Sequence, residues 1–487
     1  MARRYPAVLA AVAAAAICSG LLAAPTPAAA GAHRAGVLGG TWGIAKEVPG
    51  LAALNQGGAA QLSSVSCGAP GNCSAGGFYL SASGVEELFV VGQKHGSWGT
   101  AEEIPGLAAL NQGVNAGFSS VSCASAGACS AGGYYTHADG SVDEQAFVVN
   151  ESHGAWRKAE VVPGTAALSH GRHTETDSVS CPTAGNCTIG GMYWDGSAYQ
   201  AFVAAEKNGT WGTAQQVPGV AGLNTGGAAQ IISLSCASAG DCSAVGDYAT
   251  SGGLEDAFAV TETNGTWGTA EEIPGTTPAS HYVIAYVNSV SCASAGNCSA
   301  GGQYVSSAGY TYAYVVTERN GTWGTARRVP GLVMPQNKGA FASVGSVSCA
   351  SAGNCSAAGG YTARSGGTQA FVVTEKDGHW ATAQEIPGLA TLNTGGDAAI
   401  SSVSCTSAGT CGAVGDYQGS GGQEAFVVSE ANGTWGTAKE VPGLAALNRD
   451  GAAVINSISC ASADHCSAGG YYTQRNTDEQ AFVVTES

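Results

Sequence analysis

The chain has 487 residues, of which only 11% are charged and 74 are glycine, and its formal net charge is −17. Its densest basic clusters are the pairs Arg3-Arg4, Arg157-Lys158 and Arg327-Arg328, so phosphate backbones and anionic lipid would repel it, and nucleic acid and charged membrane surfaces are excluded as partners. Few helix formers and many Gly and β-branched residues point to an all-β chain.

The first segment, "MARRYPAVLAAVAAAAICSGLLAAPTPAAA", has two arginines, an Ala/Leu/Val run and then small residues, the layout of a secretory signal peptide over residues 1–30 cleaved after Ala30. A short linker over 31–39 follows, and 40–487 reads as one domain. No later stretch is apolar for the roughly 18 residues a membrane-spanning helix needs. The expected location is outside the cell, released or held at the envelope.

Residues 40–50 are "GTWGIAKEVPG", a strand-like piece with no cysteine pair before it. Eight copies of one unit then follow, each carrying a Cys-x5-Cys pair: Cys67/Cys73, Cys123/Cys129, Cys181/Cys187, Cys236/Cys242, Cys292/Cys298, Cys349/Cys355, Cys405/Cys411 and Cys460/Cys466. The period is about 56 residues, the mark of a repeat architecture. "SVSCASAGNCSAGG" (289–302) is representative. In each unit an alternating strand ends at the first cysteine, a second begins at the second cysteine, a third carries "QAFVVTE", and a fourth carries the Trp of "NGTWGTA". Asn-Gly at 208, 264, 320 and 432 signals a tight hairpin between the third and fourth strands. Four strands per unit suggest propeller blades rather than a solenoid. The eighth unit stops at "AFVVTES" (481–487), where a Trp strand is due, and the orphan piece around Trp42 is that strand. The predicted fold is an eight-bladed β-propeller whose last blade is closed by the N-terminal strand.

Eight separate identical pairs match neither the grouped ligands of zinc sites nor a Cys-x-x-Cys redox centre. In an exported protein they read as disulfides, each bridging a five-residue hairpin loop. Trp42, Trp98, Trp156, Trp211, Trp267, Trp323, Trp380 and Trp435, and the Tyr six residues after each second cysteine, recur in every blade, so they read as packing before binding.

Function should reside where blades differ, in the loops of one face. Five blade-to-blade connections carry "PGLAALN" or a close relative; "PGTAALSHGRHTETD" (163–177), "PGTTPASHYVIAYVN" (274–288) and "PGLVMPQNKGAFASVG" (330–345) depart from it. The first holds His170, Arg172, His173, Glu175 and Asp177. These are donors of the kind acid/base pairs and metal sites use, but an H-x-x-H outside a helix sets no one-face ligand geometry, so no metal is expected. Trp194, the one tryptophan outside the repeat, is followed by Asp195 on the same face. Acid pairs such as Asp143-Glu144 open several third strands and read as loop hydration.

The motif S-C-x-S-x-x-x-C-x-A-x-G followed by Trp and Pro resembles the secreted, disulfide-stapled propeller repeats of actinobacterial type over residues 41–487; the resemblance implies a fold and no established activity. "TERNGTW" (317–323) is distantly similar to the Asp-box of sialidase-type propellers, but Gly321 and Trp323 are spaced differently and the Asp is missing. Nucleophile-elbow, zinc-protease, P-loop and EF-hand signatures are absent from the sequence. The expectation is a monomeric, cofactor-free, non-catalytic module that binds a glycan or an extracellular protein through His170, Arg172, His173, Trp194 and Asp195. A carbohydrate-active hydrolase or lyase with carboxylates near the pore, and a structural envelope protein, are the alternatives.

Overall fold

The computed structural model describes residues 40–137, 144–276, 282–335, 339–449, 451–474 and 478–487. The signal peptide and linker expected over 1–39 lie outside the described residues. Eight antiparallel sheets form the blades of a propeller. Blade 1 is typical: strands Ala60–Ala69, Asn72–Leu80 and Glu86–Lys94 precede an outer strand in two pieces, Ser97–Trp98 and Glu102–Glu103, both paired with the third. The first strands touch one another in sequence around the axis, and blade 8 touches blade 1.

Closure occurs as the orphan strand requires. Lys46–Glu47 pairs with Glu479–Thr485 in blade 8, and Trp42 bridges to Glu486. All eight disulfides are present, with Cα atoms 3.9–4.1 Å apart.

The hairpins they cross are tighter than the expected five-residue loop. In blade 1 the strands run past Cys67 and Cys73 to a turn at Pro70-Gly71, because a register shift between Cys67 and Ala69 absorbs the extra residue. The second cysteine therefore lies inside its strand rather than opening it: Cys187 follows Asn186 in Asn186–Trp194, and Cys242 follows Asp241 in Asp241–Ala249. These bridges are also buried rather than placed on a loop. The pair Cys181–Cys187 belongs to the apolar cluster between blades 2 and 3, and Cys236–Cys242 to that between blades 3 and 4. Six of the second sulfurs meet a hydroxyl of the preceding blade, Cys187 Sγ lying 3.2 Å from Ser130 Oγ and Cys242 Sγ 3.5 Å from Thr188 Oγ1. The staples thus tie one hairpin covalently and pack across the seam as core.

The small residues of the motif have separate tasks. Each first strand turns the backbone N–H groups of its inner edge away from any sheet partner, which leaves donors to satisfy. The two serines of S-x-S-C in the preceding blade accept them: Ser289 Oγ takes Val347 N at 3.0 Å and Ser291 Oγ takes Cys349 N at 2.9 Å. Fifteen such bonds encircle the axis among the described residues. The second glycine of Ala-Gly-Gly sits beside a bulge in the first strand. A Cβ at Gly302 would lie 2.0 Å from the Tyr286 carbonyl oxygen, and one at Gly133 1.9 Å from that of Gly117.

Eight apolar clusters fill the seams between blades, each built from one blade's first three strands and the third strand of the blade before. The repeated tyrosines, Tyr79 to Tyr472, are all buried, so they form core and present no sugar-binding ring. The glutamates that close the third strands are buried too. Glu375 is held by Ser299 and Thr317 of the preceding blade, each at 3.0 Å.

Candidate functional site

Two faces result. On one, the disulfide hairpins and the Asn-Gly turns are hydrogen-bonded to each other, as Gly321 N is to Gly296 O at 2.9 Å. Asn320 and Gly321 both have positive φ, 51° and 77°, the mirror-image turn that Asn-Gly favours. The other face carries the blade-to-blade connections. In five of these the Asn of "PGLAALN" donates through Nδ2 to a carbonyl at the start of the third strand in the preceding blade, as Asn224 does to Tyr199 O at 2.8 Å.

Between blades 2 and 3 the pattern breaks. The short helix Thr165–Leu168 forms, but the buried Ser169 stands in the Asn position. The chain then reverses through His170 and Gly171, with φ 53° and 77°, and enters the first strand of blade 3, Thr174–Thr183. The turn delivers His173 against the second strand Asn186–Trp194, where Trp194 N donates to His173 O at 2.9 Å. Tyr199, opening the third strand Tyr199–Lys207, meets Trp194 edge-on at 5.1 Å and His173 at 5.3 Å between ring centroids. The three rings form a half-buried aromatic corner.

The other expected contact residues divide. The Asp195 carboxylate accepts from Ser197 N, Ser197 Oγ and Ala198 N, each at 2.8 Å, and from Gln200 Nε2 at 3.2 Å. Burial opposes its charge, yet the hydrogen bonds from Ser197, Ala198 and Gln200 hold the carboxyl below the usual range. Its role is to build the hairpin that presents Trp194. His170 is exposed beside Gly196 at the tip of that hairpin. Arg172 is exposed, and its carbonyl accepts from Gln145 Nε2 at 2.6 Å.

Sequence reasoning misjudged Glu144. It opens the third strand of blade 2, Glu144–Ser152, and is half-buried rather than a hydrated loop acid. Its Oε2 lies 3.6 Å from His173 Nε2, and it is hydrogen-bonded to Glu175. One donor atom each from Glu144, His173 and Glu175 lie within 4.8 Å of one another. Burial, then Asp177, then Glu144 push the Glu175 carboxyl well above the ordinary range; burial and Glu144 do the same to Asp177. The equivalent seam between blades 8 and 1 pairs Glu479 with an amide, Gln61, at 2.7 Å. Asp177 occupies the bulge between Thr176 and Ser178. In that place Asn288 and Asn456 donate to the next blade's carbonyls, Val344 O at 2.7 Å and Leu62 O at 2.8 Å. A carboxylate cannot donate, and Asp177 Oδ2 is shut from solvent with no hydrogen-bond partner. Aligning the third strands against the first strands of the next blade would have exposed both departures in the sequence.

A second polar departure lies at blades 4 and 5. Tyr314 replaces the phenylalanine found at that position in the other seven blades, and its hydroxyl is buried near Asp247. Asp247 accepts from Val287 N at 3.0 Å, and burial followed by Glu272 lifts Asp256 to about 7. On the stapled face, cavities of about 190 and 180 Å³ open between blades 5 and 6 and between 7 and 8. They are walled by repeated parts, among them Cys298, Cys355, Cys411, Cys460 and Cys466. Cys187 and Cys242 wall neither of these two cavities. Cys123, Cys129 and Glu151 also converge, but their sulfurs are joined in a disulfide and ligate nothing.

No sequence-family model matches the chain, and no curated protein matches it. Among solved structures it is similar in fold to an ulvan lyase bound to its oligosaccharide, at 9% identity over 83% of this chain and 95% of the other, TM-score 0.41. A Hadza microbial sialidase matches at 10% identity over 72% and 74%, TM-score 0.37. A Penicillium chrysogenum α-L-arabinanase matches at 11% identity over 62% and 89%, TM-score 0.35.

Proposed function

We propose that this chain is an exported, non-catalytic binding module that takes a glycan on its variable face, at the mouth between blades 2 and 3. The observation that carries this reading is the corner of Trp194, Tyr199 and His173, built where the internal repeat breaks. A partly exposed tryptophan ring, braced edge-on and bordered by carboxylates, offers an apolar face for the C–H side of a sugar and acceptors for its hydroxyls. The adjacent acids do not favour the glycosidase alternative. Glu144 and Glu175 are hydrogen-bonded to each other, whereas a glycosidic bond has to fit between carboxyls roughly 5–9.5 Å apart.

Eight disulfides agree with an oxidising, extracellular setting, and among the described residues no helix is long and apolar enough to cross a membrane. In this reading residues 1–30 direct export, 31–39 link, and the propeller acts as a monomer. A glycan and cell-wall-polymer array with the oxidised protein, scored for binding and for released product, tests it. Binding without product that is lost in Trp194→Ala, at unchanged melting temperature, is the expected result. Product release would overturn the non-catalytic part, and binding indifferent to Trp194→Ala would overturn the location.

A further inference from the structure

We propose that Glu144, His173 and Glu175, with Asp177 behind them, form a site for a divalent transition-metal cation. The inference goes beyond the glycan reading and does not depend on it, although the two share the same mouth of the propeller.

Three features of the seam carry it. The first is the donor set: an imidazole nitrogen and two carboxylate oxygens, from blade 2 and from the blade 3 entry, lie within 4.8 Å of one another. Bonds of about 2.0–2.2 Å to a central ion require only that these side chains close slightly on their common centre. The second is the charge arrangement. Where the 8–1 seam pairs a carboxylate with the Gln61 amide, this seam sets Glu144 against Glu175 and adds Asp177. Carboxyls gathered in a low-dielectric seam need either protons or a cation between them. The third is Asp177 itself, whose Oδ2 is sealed from solvent and has no hydrogen-bond partner. Its charge acts on Glu175 and Glu144, and a cation held between the donors would be stabilised by that nearby negative charge.

The surroundings also orient the ligands. The Tyr199 ring stands edge-on to the His173 imidazole, and the His173 carbonyl is tied to Trp194 N. Imidazole with carboxylate favours Zn²⁺, Mn²⁺ or Co²⁺, while Ca²⁺ prefers an all-oxygen shell.

Calorimetric titration of the oxidised, chelator-treated full chain with Zn²⁺, Mn²⁺ and Ca²⁺, without any glycan, tests the site. The expected result is one saturable equivalent for Zn²⁺, at least about 10-fold tighter than for Ca²⁺. His173→Gln and Glu175→Gln should each weaken it by at least about 30-fold, and Asp177→Asn, which removes only a nearby charge, by a smaller factor. His170→Gln, outside the cluster, should leave it unchanged. Co²⁺ added to the unaltered protein should give visible absorption bands that Zn²⁺ abolishes, a readout that survives any failure of a variant to fold. Absence of saturable binding and of Co²⁺ bands would overturn the proposal and mean that the acids share protons; binding that survives His173→Gln would overturn it as well. Either failure leaves the Trp194 test of glycan binding untouched.

Discussion

Trp42→Ala tests whether the orphan N-terminal strand closes the ring. Trp42 is 7% exposed and packs in the blade 8 cluster with Val441, Ile458 and Phe482. The segment it anchors is held by Thr41 N to Ser487 O at 3.0 Å, Gly43 N to Thr485 O at 2.9 Å, Val48 N to Ala481 O at 2.9 Å and Ala45 N to Pro442 O at 2.7 Å. Truncating a buried tryptophan costs about 3–5 kcal/mol. An unfolding entropy of roughly 2.1 cal/mol/K per residue over roughly 450 residues is about 0.9 kcal/mol/K, so the melting temperature should fall by about 3–5 °C. Trp435→Ala in blade 7, where the residue is 3% exposed, should cause a similar fall, because the local burial is alike. The two should differ below the melting temperature. In blade 7 the outer strand is tied to its neighbour by the Asn432-Gly433 hairpin, whereas no such turn joins Lys46–Glu47 to its partner strand. Limited proteolysis read by mass spectrometry should therefore release peptides N-terminal to Pro49 from Trp42→Ala and not from Trp435→Ala. A Trp42→Ala protein that melts with the parent and resists protease as well would refute closure by this strand.

Gly302→Ala should cost more than about 3 kcal/mol or abolish soluble expression, since the new Cβ meets the Tyr286 carbonyl at 2.0 Å. Gly309→Ala, at φ 82° but in open space, should cost only about 1 kcal/mol; equal melting curves would contradict the steric argument. Ser291→Ala leaves Cys349 N without its 2.9 Å acceptor and should destabilise by about 1–3 kcal/mol in denaturant titration, unlike the exposed Ser251→Ala. Burial raises the carboxyls of Glu151, Glu206, Glu262, Glu318 and Glu486, and lifts that of Glu430 to about 7. With folded values above the unfolded one of about 4.3, the native state binds more protons. Their stabilising contribution is complete below that pH and is lost as pH rises toward 7. The urea midpoint should be higher at pH 5 than at pH 8, with Glu430→Gln reducing the difference; a flat or reversed profile would contradict the burial of these acids.

The blades were legible because each strand repeats eight times and its punctuation is local. Cys-x5-Cys, Asn-Gly and the Trp strand each specify a turn or a pairing within one blade. The missing Trp strand after Ser487 and the surplus one at Trp42 were enough to imply a closed ring. The pairing of Cys187 with Cys181 and of Cys242 with Cys236 was legible in the same way, but their burial against the blade before was not. His173 and Trp194 also stood out as departures from the repeat, and the structure brings them to one corner with Tyr199. Asp195 stood out equally, yet its carboxylate is spent on its own turn, a distinction that needs coordinates.

Glu144 was the reading that failed. In sequence it is one of several acids at the start of third strands, and 31 positions separate it from Glu175. Only the seam between blades makes them neighbours, because the third strand of one blade packs on the first strand of the next. The serine belt was hidden for the same reason: S-x-S-C reads as an ordinary alternating strand until the next blade's inner-edge N–H groups are placed against its hydroxyls. Sequence by itself determined what lies within a blade, namely strand order, staples, turns and the number of copies, since those depend on contacts a few residues apart. The tertiary structure alone decided what lies between blades, where the buried acids and the candidate site are, because packing across a seam joins residues whose separation in the chain carries no local signal.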